Sequence, residues 1–237
     1  KKYKFSKVFD LQNSSRTNFY KKILYPKANH EKWSSSNTTL PSDKNKDEFN
    51  KNSVLERFDH QLITSGLITS NTIKPDFSWA GCDIAEIKNH YSLKKYILLF
   101  PFCSPHLKSK KWPYYNTLVQ LISNKFGNTY KVVIAPGPNE INDAKEINAL
   151  ALLNNGKALN ISQLTTLIKD SSFIVSNDTG PAHIAAHVGA KGLTLFGNHT
   201  TPYKVNVERE NFKAIQVSDL NNLSAEKVFE RLSSYLP

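Results

Sequence analysis

The sequence contains no methionine, not even at position 1, and only two cysteines, Cys82 and Cys103, in 237 residues. The opening, KKYKFSKVFD, already reads as the run-up to a strand, so the missing methionine implies a natural start upstream of Lys1. Two cysteines cannot make a disulfide framework, which points to a reducing cytoplasm. No apolar run approaches the roughly 20 residues of a membrane span, and the longest, residues 96–101 and 193–197, are strand-sized. The opening has no apolar h-region, so it does not read as a signal peptide. Arginine is scarce, with four in all, and no nucleic-acid motif is recognisable; a nucleic-acid partner is set aside. Acidic residues are in deficit. The formal net charge is +11; residues 1–95 carry 17 basic and 10 acidic side chains, so most of the excess sits there. An anionic membrane surface, at the inner face of the cytoplasmic membrane, fits that excess, as does a phosphorylated acceptor or a solvated lysine-rich face.

What is present suffices for a core: 39% hydrophobic residues, with 13 Phe and 10 Tyr. The length is long for one domain and short for two full ones. Residues 8–11 predict a short strand and 13–22 a helix. Residues 34–52 are polar and low in complexity and predict a mobile loop. Residues 54–67 carry apolar side chains at helical spacing, with Gly66 marking the end. Residues 71–93 are irregular, with Pro75 and Gly81, and read as the passage between domains. From Tyr96 the pattern becomes regular. Strands are predicted at 96–100, 131–135, 157–159, 173–176, 192–196 and 212–217. Helices are predicted from Pro113, over 140–154, from an N-cap at Ser162, from Pro181, and over 224–236. Unbroken apolar strands alternating with helices specify a parallel sheet covered on both faces.

In such a sheet, ligands bind at the carboxyl ends of the strands. Four loops leave those ends: PFCSPHLKSKKWP (101–113), PGPNE (136–140), NDTGPAH (177–183) and GNHTTP (197–202). In the third, Gly180 lets the backbone approach a ligand, and the helix opening at Pro181 offers N–H groups and positive dipole charge to a diphosphate. His183 lies in that first turn. Asp178 or Thr179 equally reads as a plain helix cap, with His183 structural. Lys108, Lys110 and Lys111 can supply cations to phosphate or simply form a solvated face. If Lys110 pairs with phosphate, its loss is expected to weaken ligand binding and leave the stability of the free protein nearly unchanged; unchanged binding would return it to the solvated face. Glu140 is placed at a helix start, where an acid is stabilising by itself, and at a strand end, where it can accept bonds from ribose hydroxyls. His183 and His187, four apart, read as a zinc pair only weakly, because Ile184 stands where a metalloprotease has Glu. No G-x-S-x-G elbow is present.

The run SNDTGPAHIAAHVGAKGLTLFG (176–197) resembles the signature of glycosyltransferase family 9, the ADP-heptose:lipopolysaccharide heptosyltransferases. LLFPFCSPHLKSKKWP (98–113), VVIAPGPNE (132–140) and KFSKVFDLQNSSRT (4–17) resemble three further motifs of that family, in family order. The resemblance implies an α/β fold of GT-B architecture, two Rossmann-like domains, the N-terminal one incomplete. Residues 1–92 would be a partial acceptor-side domain with the interdomain passage, and 93–237 the nucleotide-sugar-binding domain. It implies transfer of a sugar, heptose first, from a nucleotide-diphosphate donor such as ADP-heptose to a lipopolysaccharide core or related glycan, with no cofactor required. Asp178, Thr179, Gly180 and His183 would hold the donor diphosphate and sugar, Ser104 and Lys110 the phosphates, and Glu140 the ribose. Two departures stand out. Phe102 replaces the family's loop Gly. The family's general base, an Asp in a Gly-Asp motif, has no counterpart before Tyr96 and would lie upstream; the given chain would then not turn over alone. A nucleotide-sugar-binding homologue without catalysis is the alternative.

Overall fold

The computed structural model describes residues 5–104 and 106–237. Lys4, where the first family-like motif begins, and Pro105, in the loop 101–113, lie outside the described residues. The chain divides into two compact units, one reaching to Pro75 and including Tyr203–Asn206, the other formed by Asp76–Pro202 and Val207–Pro237.

In the first unit, β1 (Val8–Phe9) pairs in parallel with β2 (Trp33–Ser34), and α1 (Ser15–Leu24) follows β1. The polar stretch 34–52 is built rather than loose. It contains the short helix α2 (Lys46–Phe49), closed by a reciprocal Asn45–Glu48 cap, and buries Phe49 edge-on against His60. Its serines and threonines bond locally: the Thr38 and Thr39 hydroxyls donate to the Ser35 carbonyl. Low complexity misleads here because small polar residues satisfy the backbone themselves. Helix α3 (Val54–Thr64) starts at a Ser53–Glu56 capping box and ends where Gly66 takes φ +85°. From it the fully buried Gln61 donates to the Asp10 and Ser34 carbonyls.

The second unit begins earlier than the expected boundary at 92/93. Residues 76–92 include α4 (Ala85–His90) and bond into this unit: Phe77 N–H to the His187 carbonyl, and the Thr166 hydroxyl to the Cys82 carbonyl. The sheet comprises β3 (Tyr96–Phe100), β4 (Lys131–Ile134), β5 (Leu150–Ala151), β6 (Phe173–Asn177), β7 (Gly192–Phe196) and β8 (Phe212–Gln216). All pair in parallel, in the order β5-β4-β3-β6-β7-β8. The intervening helices are α5 (Tyr115–Phe126), α6 (Ile161–Lys169) and α7 (Gly180–His187); α8 (Pro202–Val205) and α9 (Ala225–Ser233) complete the chain. β3, β6 and β7 are buried at every residue, as their unbroken apolar runs require. Sequence order reverses direction between β3 and β6, which makes their carboxyl ends the switch point of the sheet.

Three expectations fail in this unit. The helix over 140–154 is replaced by a 3-10 turn, Asp143–Glu146, and the edge strand β5. Burial across 147–151 alternates residue by residue, but Leu150 falls on the exposed side, so the apolar pattern of INALA does not announce the strand. The strand at 157–159 is instead an antiparallel bridge, Asn154 to Lys157, around Asn155-Gly156 with φ of 50° and 76°. Asn-Gly is the preferred turn for two consecutive positive φ values. Helix α6 is capped by Asn160, reciprocally with Gln163, so the cap lies two residues before Ser162, which is inside the helix.

Gly192 is required by space. A Cβ there would meet the Ile174 carbonyl oxygen at 2.6 Å and Phe212 at 2.9 Å. Gly192→Ala is expected to destabilise the protein by about 1–3 kcal/mol through overpacking, read as a lower urea midpoint at constant slope. An unchanged midpoint would mean that β6 and β7 yield more easily than two central strands should. Among the described residues, no helix is long and apolar enough to cross a membrane.

Candidate functional site

At the switch point the end of β6 delivers Asn177 and Asp178 side by side, both buried. Asn177 ties the two halves of the sheet together. Its Nδ2 donates to the carbonyls of Pro101 (3.0 Å) and Phe102 (3.4 Å), and its Oδ1 accepts from the Trp112 N–H and the Tyr115 hydroxyl, each at 3.2 Å. These four bonds fix both ends of the loop that follows β3. Trp112 anchors that loop further, its Nε1 donating to the Leu223 carbonyl at 2.7 Å. Phe102, where the family-like loop would have Gly, is itself buried, so its ring fills the core behind the turn.

That loop carries Lys110 to Asp178. Lys110 Nζ donates to Asp178 Oδ2 at 2.6 Å, and His199 Nε2 meets the same oxygen at 2.9 Å. His183 Nε2 stands 3.8 Å from Oδ1. The Asp178 side chain is 3% exposed and that of Lys110 20%. A carboxylate this deep needs such partners, since an unpaired buried charge costs several kcal/mol. Burial is the main influence on His183 and pushes its pKa down, with Lys110 and Arg209 acting the same way; Asp178 opposes them. Its imidazole is therefore neutral near pH 7.

Helix α7 begins beside this cluster. Its N-cap is Thr179, and no side chain caps it; Asp178, the other candidate cap, turns to Lys110 and His199 instead. Among the described residues, nothing lies within 4 Å of where a Gly180 Cβ would be. Pro181 has no N–H and the Ala182 N–H bonds the Thr179 carbonyl, so the helix end faces this space with the Gly180 N–H and dipole charge available to an anion. That space is part of a cavity of about 380 Å³, whose wall includes Ser104, Glu140, Thr179 and Gly180. It adjoins a second cavity of about 580 Å³ that shares Ser104 and Glu140 and adds Lys108 and Lys111. Glu140 Oε2 accepts from the Gly137 N–H at 2.8 Å, so this carboxylate also shapes its own turn. Burial raises the Cys103 thiol pKa, and its Sγ donates to the Leu107 carbonyl at 3.4 Å.

The seven residues singled out from the sequence thus fall into one region. Ser104, Glu140, Thr179 and Gly180 line the cavity; Lys110, Asp178 and His183 form the polar cluster beside it. His187 leaves the site: its ring packs on Phe77 and its Nδ1 meets Arg209 at 3.2 Å, which removes the zinc pair. Two residues that matter here, Asn177 and His199, lay in loops the sequence marked but had no individual role. His199 is held by stacking on Phe196, centroids 5.8 Å apart and 13° between planes.

The chain is also similar to known proteins. The chain is 33% identical over 110 residues to the lipopolysaccharide core heptosyltransferase OpsX of Haemophilus influenzae, an alignment covering 44% of this chain and 29% of that one. Among solved structures, E. coli heptosyltransferase WaaC with ADP shares the fold at a TM-score of 0.64 and 16% identity, over 99% of this chain and 74% of the other. The E. coli ADP-heptose lps heptosyltransferase II does so at 0.54 and 20%, over 72% and 53%. The glycosyl transferase family 9 protein of Veillonella parvula does so at 0.64 and 14%, over 90% and 65%. The chain thus spans about a third of the length of OpsX and about half that of heptosyltransferase II. The fold is that of the GT-B glycosyltransferases. The family model for glycosyltransferase family 9 (heptosyltransferase) matches residues 4–233, nearly the whole chain, and the chain belongs to that family.

Proposed function

We propose that this protein transfers a sugar, heptose in the first instance, from a nucleotide-diphosphate donor to a lipopolysaccharide core or related glycan. The observation that carries this reading is the uncapped start of α7 beside Lys110, at the sheet's switch point and open to a cavity. Lys110 and the start of α7 take the diphosphate, whose departure from the anomeric carbon they stabilise. Glu140 holds the ribose. His183 faces the sugar with Asp178 behind it, because a carboxylate turned toward phosphate oxygens would be repelled. A general base removes the acceptor hydroxyl proton as that oxygen attacks; in this reading it comes from a Gly-Asp motif absent from the chain before Tyr96. ADP-heptose is the proposed donor, supported by one neighbour in fold, E. coli WaaC, whose solved structures hold ADP and ADP-2-deoxy-2-fluoro heptose. The basic excess of residues 1–95 suits an anionic acceptor or a membrane surface.

A thermal-shift panel of ADP-, UDP- and GDP-sugars tests the donor. An ADP-sugar at a hundredfold excess over Kd should stabilise by about 2.7 kcal/mol, and no shift with any member would sink the reading. Asp178→Asn should leave circular dichroism unchanged and slow transfer by about tenfold or more in the intact protein. Undiminished transfer would remove Asp178 from the site. Donor binding with no transfer by the intact protein would leave a binding homologue.

A further inference from the structure

The Lys110–Asp178–His199 cluster holds a conflict that the proposed function brings out. Lys110 is already committed to Asp178 Oδ2, yet that contact sets its ammonium next to the start of α7, whose N-cap Thr179 follows Asp178 in the chain. Of the pair, Lys110 is the partner with access to solvent and Asp178 is the one without. A diphosphate arriving at α7 competes for the ammonium, and the buried carboxylate then loses its principal partner.

His199 is placed to prevent that loss. Its Nε2 lies 2.9 Å from the same Oδ2, and its ring is stacked on Phe196 and only 10% exposed. It therefore stays when Lys110 moves. Its Nδ1 is buried and, among the described residues, has no hydrogen-bond partner. A proton on Nδ1 would be an unpaired buried donor, so the proton belongs on Nε2, directed at Asp178. We infer that His199 is a positioning residue, the second donor that keeps the Asp178 carboxylate paired while Lys110 turns to a bound diphosphate. This rests on the donor-binding reading above.

Titration calorimetry with ADP on wild type and variants tests it. His199→Phe keeps a ring against Phe196 and deletes the donor; ADP affinity should fall by about tenfold. His199→Gln, whose amide reaches a similar point, should recover most of it. In an Asp178→Asn background the Phe exchange should change ADP affinity little, because a neutral amide is not stranded when Lys110 leaves. Equal loss in both backgrounds would make His199 merely structural and overturn the inference, as would wild-type affinity in His199→Phe. Should His199→Phe not fold, His199→Asn, whose shorter amide falls short of Asp178, takes its place in the same cycle. Absence of ADP, UDP and GDP binding by wild type would instead defeat the donor reading itself.

Discussion

Lys110→Met is expected to lower the stability of the free protein by about 3 kcal/mol, the low end of what breaking a buried ion pair costs. Methionine keeps the length of the side chain and removes the charge that faces Asp178, which is 3% exposed. The low end applies because His199 still reaches Asp178 Oδ2. For a chain of this size the melting temperature should drop by roughly 6–12 °C. The sequence suggested the opposite, a phosphate-contacting lysine whose loss would barely change the melting of the free protein. The difference lies in a 2.6 Å contact between residues 68 positions apart. Adding Asp178→Asn to Lys110→Met should restore much of the loss, since removing both charges strands neither. A melting temperature within about a degree of wild type for the single variant would refute the buried pairing.

Asn177→Leu should be more damaging still. The substitution keeps the branched outline of the side chain, with bulkier methyl groups, and deletes all four bonds made by a side chain with no exposure to solvent. The Tyr115 hydroxyl retains the Phe100 carbonyl at 3.1 Å, but the Trp112 N–H and the Pro101 carbonyl lose this partner inside the core. At about 1–3 kcal/mol for each group left unsatisfied, the total reaches roughly 3–5 kcal/mol. Equilibrium urea unfolding measures it. Any folded population should also bind nucleotide weakly, because the loop bearing Ser104 and Lys110 has lost both its fastenings. A variant with the wild-type midpoint and full nucleotide affinity would show that Trp112 and the strand pairing hold the loop unaided.

Much of the second unit was legible because it is written locally. The runs YILLF, FIVSN and GLTLF are each unbroken enough to name a buried parallel strand, and the loops after them identify the binding end. What escaped depends on distance or on short-range turn chemistry. Asn177 looks like a polar residue closing a strand; its importance lies with Pro101, Phe102, Trp112 and Tyr115, each more than 60 positions away. His199 acquires meaning only when the ends of β6 and β7 bring it to Asp178, as register pairs Asn177 with Leu195. The helix expected over 140–154 gives way to an edge strand whose period the exposed Leu150 hides, and Asn155-Gly156 was an overlooked turn signal. In the first unit, composition alone hid α2 and the buried serines and threonines around it.

The strand order β5-β4-β3-β6-β7-β8 has an evolutionary corollary. The sheet is two three-stranded halves joined along one seam, β3 against β6, and the site's inventory is split across it. Ser104, Lys110 and Glu140 descend from one half; Asp178, Thr179, Gly180, His183 and His199 descend from the other. Neither half is a module that recombination could transplant with its chemistry intact. A foreign half would have to supply, besides its own side chains, a counterpart for the Asn177 clasp and a counter-charge for the Lys110–Asp178 couple. Variation inherited by this site is therefore expected to be correlated across the seam, with changes at 110 tracking changes at 178 and 199.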